Sequence, residues 1–156
     1  MFNPMSNPTD TRKILTGKDG RLFIYGTDGN SICLFTVPEF HIALDWQTTE
    51  TQFVGNLVTT TVLTGVKPSL NFNEVIVSDE ATFGRILDDL NNERTPMYDF
   101  QGLVGIDETH EQRVVCRECV PTGTMNLQDV VPGSILQRTF SFAINQLPEV
   151  LKRLTA

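Results

Sequence analysis

DWQTTETQ (residues 45–52) and KPSLNFN (residues 67–73) are the two stretches that decide the fold. Both are extended in character, and both are thinly supplied with core residues. In the first, Asp45, Gln47, Thr49 and Thr51 fall on one face, and Trp46, Thr48, Glu50 and Gln52 on the other. In the second, Ser69, Asn71 and Asn73 share a face with Lys67. A two-stranded ribbon of this composition is marginal in water when it stands alone. Its open edges invite pairing with another chain. The sequence therefore predicts a protein that completes its sheet by assembling with copies of itself.

Between these strands runs a segment bounded by glycines: Gly55, Asn56, Leu57, Val58, Thr59, Thr60, Thr61, Val62, Leu63, Thr64 and Gly65. It reads as a slack loop. Its threonines and Val62 have strand propensity but no core partner within the pattern, which suits a loop that orders against a neighbouring subunit. Downstream, Ser78 and Asp79 are expected to cap a helix over 78–92, with Glu80 in its first turn. Phe83, Ile86, Leu87 and Leu90 form its apolar stripe.

On the N-terminal side, residues 1–11 read as an arm, because Asn3-Pro4 and Asn7-Pro8 favour extended or turn conformations. The arm is read as disordered or as ordering on a neighbouring subunit. Residues 12–156 form one domain. Arg21–Tyr25 is a short strand, and Asp28-Gly29 is a hairpin signal. Ser31–Trp46 alternates, with a kink, bulge or edge expected at Pro38. On the C-terminal side, strands are expected over 97–106, 112–120 and 136–145, and a last helical turn over 148–154 using Val150, Leu151 and Leu154. Strands before and after a single helix imply a mainly β fold, a β-sandwich or partly open barrel with one flanking helix.

The composition bounds the function. The chain has 156 residues and a net charge of −7. Such a balance disfavours an electrostatic nucleic-acid binder, which needs a basic stripe to neutralise phosphates. No apolar run reaches the ~20 residues of a membrane helix, and residues 1–10 lack the basic and apolar regions of a secretory signal. Three cysteines make no disulfide framework, and a reduced, cytoplasmic site of folding is expected. Cys116 and Cys119 are spaced as C-x-x-C, but inside a strand, where residues three apart point to opposite faces. Their sulfurs are expected to diverge and to be structural. Cys33, His41 and His110 give no metal-ligand or nucleophile spacing. No catalytic residue, metal site or cofactor is expected.

Four groups of residues carry a resemblance. They are Phe53-Val54-Gly55-Asn56 with Gly65-Val66-Lys67; Ser78–Leu90; Pro96–Phe100 with Gln112–Val115 and Cys119; and Leu127-Gln128-Asp129, Gly133 and Phe140-Ser141-Phe142. In this order the chain resembles the phage tail tube proteins of the XkdM type, found in contractile-tailed phages, PBSX-like prophages and phage-tail-like bacteriocins. The likeness covers residues 12–146. A longer arm and a more basic, helical end depart from the family's pattern.

The resemblance implies sixfold rings of self-associated protomers, stacked into a hollow tube through which DNA passes without specific binding. It implies sheath, tape-measure and baseplate or terminator proteins as partners. It implies a virion-tail location after assembly in the host cytoplasm, with no membrane anchor. It also makes Asp45, Gln47, Thr49, Thr51, Ser69, Asn71 and Asn73 the expected lumen face, and Gly55–Gly65 the expected contact with the next ring. Two other classes stay open: a secretion-system tube protein of the Hcp kind, and a small β-barrel enzyme or ligand-binding domain.

Overall fold

A computed structural model describes residues 15, 17–25, 31–34, 37–76, 82–107 and 110–154. The N-terminal arm (1–11), the Asp28-Gly29 turn and the Ser78-Asp79 pair lie outside them. After a 3₁₀ turn (Gly17–Asp19), the elements are β1 (Gly20–Tyr25), β2 (Ser31–Cys33), β3 (Glu39–Thr51), β4 (Thr60–Val75), α1 (Phe83–Asn91), β5 (Tyr98–Asp107), β6 (His110–Pro121), β7 (Gln137–Ile144) and β8 (Glu149–Lys152). All strands join one antiparallel sheet in the order β2-β1-β5-β6-β7-β4-β3, with β8 also on β6. The expected mainly β fold with one helix is what forms, and the sheet curls without closing into a barrel.

The curl comes from β7. Its first part pairs only with β4, and only its end, Phe142–Ile144, reaches β6. β8 then continues along the same β6 edge at Arg113–Val115. One edge of β6 is thus shared between β8 and the end of β7, and a sheet whose strands share an edge in this way turns a corner between two packed layers. The layers meet through phenylalanines: Phe72 of β4 lies 5.7 Å from Phe100 of β5, and Phe100 lies 5.0 Å from Phe142 of β7. Leu22, Ile24, Leu70, Phe140 and Ile144 pack into the same core. Phenylalanine suits the role because it buries a large ring with no polar atom to satisfy.

The helix begins at Phe83, preceded by Thr82, whose hydroxyl makes no capping hydrogen bond. Phe83 and Ile86 enter the core, whereas Leu87 and Leu90 remain exposed, so only half of the apolar stripe is covered. The helix is held at its other end by Tyr98, whose hydroxyl donates to the Asp89 carboxylate at 2.6 Å.

Three expectations fail for identifiable reasons. Thr60–Gly65 is not loop but the start of β4, leaving a turn over 52–59. That turn is internally bonded rather than slack: Asn56 N donates to Phe53 O, the Gln52 amide to Asn56 O, and Val58 N to Asn56 Oδ1. Residues 148–154 are not a helical turn, because the edge of β6 offers Glu149–Lys152 a ladder to complete. Cys116 and Cys119 do not diverge. A bulge sets Cys116 opposite Phe100 and Cys119 opposite Tyr98, and Glu118 turns through a positive φ of 56°. The additional residue restores parity, so both thiols enter the core, fully buried.

Candidate functional site

β3 pairs with β4 over its whole length, from Glu39↔Asn73 to Thr51↔Thr60. β7 supports β4 only from Ser69 to Val75. The remainder is a two-stranded arm that runs out from the body, and among the described residues no strand pairs with the outer edge of β3. This is the isolated ribbon that the sequence predicted.

Alternation gives the arm two unlike faces. On one, Asp45 stands opposite Lys67, Ala43 opposite Ser69, His41 opposite Asn71, and Glu39 opposite Asn73. Asp45, Gln47, Ser69, Asn71 and Asn73 are thus brought together. Thr49 and Thr51 keep the same parity along β3 but lie beyond a bulge, where Thr64 is the additional residue of β4 and its hydroxyl donates to Gln47 O at 3.0 Å. The bulge exchanges the faces of β4, so Val62 and Thr60 now oppose Thr49 and Thr51.

The polar face extends further than sequence reasoning found. β7 places Thr139, Ser141 and Ala143 beside Asn73, Asn71 and Ser69. Asn73 is the hub: its amide donates to the Glu39 carboxylate at 2.5 Å, and its carbonyl oxygen accepts from the Thr139 hydroxyl at 2.8 Å. The alternation of 137–145 carried the signal. It became readable only with the strand order, which puts β7 next to β4 rather than at a separate edge.

The opposite face is apolar and leaves the core gradually. Phe72 and Leu70 are buried, Phe40 and Ile42 partly so, but Trp46 is 60% exposed and Leu63 55% exposed. At the tip, Phe53, Val54, Leu57 and Val58 all face solvent around Gly55, which adopts a φ of +83°. A tip with four exposed apolar side chains costs solubility unless something covers it.

Among the described residues no group of His, Cys, Asp and Glu side chains could hold a metal ion. Burial pushes the Cys116 thiol from 9.0 to about 11; burial and the neighbouring Cys116 push Cys119 to about 12. Neither is a nucleophile at neutral pH. The arrangement presents strand edges, one polar wall and one apolar tip.

No family model matches the sequence, and no curated protein matches it. Solved structures share its fold. A chain of the anti-feeding prophage baseplate, a six-fold symmetrised structure, superposes with a TM-score of 0.63 at 12% identity, over 94% of this chain and 97% of that one. A chain of the PVC extracellular contractile injection system, from its sheath–tube complex in the extended state, gives 0.61 at 12% identity, over 92% and 100%. A chain of the gene transfer agent tail, refined with C6 symmetry, gives 0.56 at 14% identity, over 89% and 100%. The fold is thus one that components of tail-like particles adopt.

Proposed function

We propose that this chain is a tube protomer of a phage-tail-like particle. Copies join the open edge of β3 to the sheet of a neighbour, six protomers close a ring, and rings stack into a conduit. The polar face of β3, β4 and β7 lines the bore, and the arm tip reaches the next ring. The observation that carries this reading is the arm itself: a long two-stranded ribbon with an outer edge that no described strand pairs, one polar face and an apolar tip, attached to a packed core. A heterologous edge-to-edge contact closes into a ring when its rotation allows. The six-fold symmetry of the particles that contain the related chains supports that number.

The wall suits passage of a polyanion. Its side chains are mostly short, hydrated and uncharged, and Lys67 stands opposite Asp45, so phosphates find no basic stripe to hold them. In this role the wall is a passive surface and the protein is not an enzyme. Sheath, tape-measure and baseplate or terminator proteins are the partners this role requires.

A second reading has its own support, since related chains occur in a baseplate and in a tube-terminating cap. Negative-stain microscopy of the purified full-length protein separates the two. Long tubes of stacked rings are expected of the protomer. Single rings that never stack would assign the chain to a baseplate or cap, and a monomer at high concentration would refute both.

A further inference from the structure

β7 carries a second open edge. It reaches β6 only at Phe142–Ile144, so among the described residues no strand lies beside the start of β7 on the side away from β4. The ladder shows which backbone groups point there. Ser141 O accepts from Thr122 N on the β6 side. In an antiparallel ladder the amide and carbonyl of one residue point one way and those of its neighbours the other. Gln137 and Thr139 therefore aim their N–H and C=O groups at the open side, while Arg138 and Phe140 bond to β4 opposite Glu74 and Phe72. The same count carried across β4 turns the backbone groups of Phe40, Ile42 and Leu44 to the outer edge of β3. Side chains are locked to this phase: Gln137 and Thr139 belong to the polar face, and Phe40, Ile42 and Leu44 to the apolar one.

We propose that the β3 edge of one copy pairs with the Gln137–Thr139 edge of the next, and that the two strands run parallel; this rests on the ring reading above. In an antiparallel pair, residues that exchange hydrogen bonds stand directly opposite and share a face. Thr139 would then sit beside Phe40, Ile42 or Leu44, and the apolar row of β3 would turn to the polar wall. In a parallel pair the bonds slant, and a residue bonds to the two that flank its opposite number. One of the β3 apolar row then stands opposite Arg138, bonded to Gln137 and Thr139, and both faces stay continuous. β3 and β7 each run antiparallel to β4, so copies rotated about an axis running with the strands meet in this sense, head to tail. The apolar sides match as well. Arg138 donates to Leu127 O at 3.0 Å, which holds Leu127, 57% exposed, behind the β7 edge. Ile42 and Leu44 wall an open groove of about 330 Å³ behind the β3 edge. The junction brings the two together.

The test uses the full chain with Cys33→Ser, which leaves only the two buried thiols. Gln137→Cys or Thr139→Cys is combined in turn with Glu39→Cys, His41→Cys, Ala43→Cys and Asp45→Cys, all at exposed positions. Within one copy β4 stands between the two strands and keeps them about 10 Å apart, too far for a disulfide. Oxidation of assembled protein should therefore link copies into multimers on a denaturing gel. The best partner of position 139 should lie two residues later in β3 than that of position 137. A best partner two residues earlier means antiparallel strands, and no link from any pair in protein that still forms rings under the microscope means another acceptor; both overturn the proposal and leave the ring reading standing. An unmodified chain that forms no rings overturns both. Thr139→Pro is an independent arm, because the N–H it removes faces away from β4 and an edge position tolerates proline. It should keep the monomer's circular dichroism and lose the rings, whereas Thr139→Val, which keeps the N–H, should form them. Rings from Thr139→Pro would overturn the proposal.

Discussion

Gly102 and Gly105 lie three residues apart on β5 and would answer a methyl group differently. A Cβ on Gly102 would meet the end of Ile42 at 2.8 Å and the ring of Phe40 at 3.1 Å, both side chains that can move. A Cβ on Gly105 would lie 2.7 Å from the Cα of Glu111, which is backbone. Gly102→Ala is therefore expected to cost about 1 kcal/mol, and Gly105→Ala about 3 kcal/mol or more, the span usual for overpacking. Urea denaturation midpoints would order them, and equal midpoints would contradict the argument. The buried thiols give a pH dependence. In the unfolded chain they ionise near 9, but in the fold only near 11 and 12. The unfolded state sheds protons first, so stability is full below pH 9 and falls as pH rises above it. Cys116→Ala with Cys119→Ala should flatten that slope in denaturation curves recorded between pH 8 and 10. The burial of both thiols was not legible from the C-x-x-C spacing. Alternation is readable in a sequence, but the bulge that resets it at Glu118 has no signature there.

β8 is the element most exposed to solution conditions. It contributes only Glu149–Lys152, with mostly exposed side chains, and ion pairs fasten it to β6. Burial alone would raise the Glu111 carboxyl, but hydrogen bonds from Arg113 and Lys152 outweigh it and hold the group below its ordinary range. A hydrogen bond from Arg117 lowers Glu149 in the same way. Lowered carboxyls stabilise the fold above their unfolded pKa and lose that contribution as pH falls through the folded value. Hydrogen exchange should show the Val150–Lys152 amides opening below about pH 4.5 before those of β5. Simultaneous opening would mean that the ion pairs do not hold the strand. This strand was misread because Val150, Leu151 and Leu154 also fit helical spacing, and a four-residue edge strand has too few positions to declare its period. The β3–β4 arm was legible because its period-two pattern is long. Its bulge at Thr64 was not, which is why Thr60–Gly65 reads as loop. Point changes at the tip test that element better than a deletion of 57–64, which would also remove the start of β4. Phe53→Ser with Leu57→Ser should shift stability by no more than about 0.5 kcal/mol, since both side chains are solvent-exposed. Ring stacking should be lost. Unaltered tubes in the microscope would remove the tip from the inter-ring contact.

At the scale of the molecule, what the sequence could not supply was the neighbourhood of strands. Asp45, Gln47, Ser69, Asn71 and Asn73 were identifiable from alternation within two strands, whereas Thr139 and Ser141 required the knowledge that β7 lies against β4. Strand order depends on contacts distant in sequence, such as Phe72 with Phe100, and no local pattern encodes them. The assembled polar face is nevertheless open to a direct experiment. Ser69→Lys, Asn71→Lys and Asn73→Lys together add three cations per protomer on side chains that are only partly buried, so the fold should tolerate them. If the face lines a bore, each ring gains a band of positive charge directed inward, where duplex DNA can be held by counterion release. Affinity gained in this way falls steeply with salt. Variant tubes are therefore expected to retain short duplex DNA in sedimentation at about 50 mM salt and to release most of it at about 200 mM, while unmodified tubes retain none at either. If variant tubes form but bind no DNA, the polar face does not line the bore. If no tubes form while the unmodified protein makes them, the lysines are buried between protomers, and the wall must be sought on the other face of the arm, around Trp46 and Leu63.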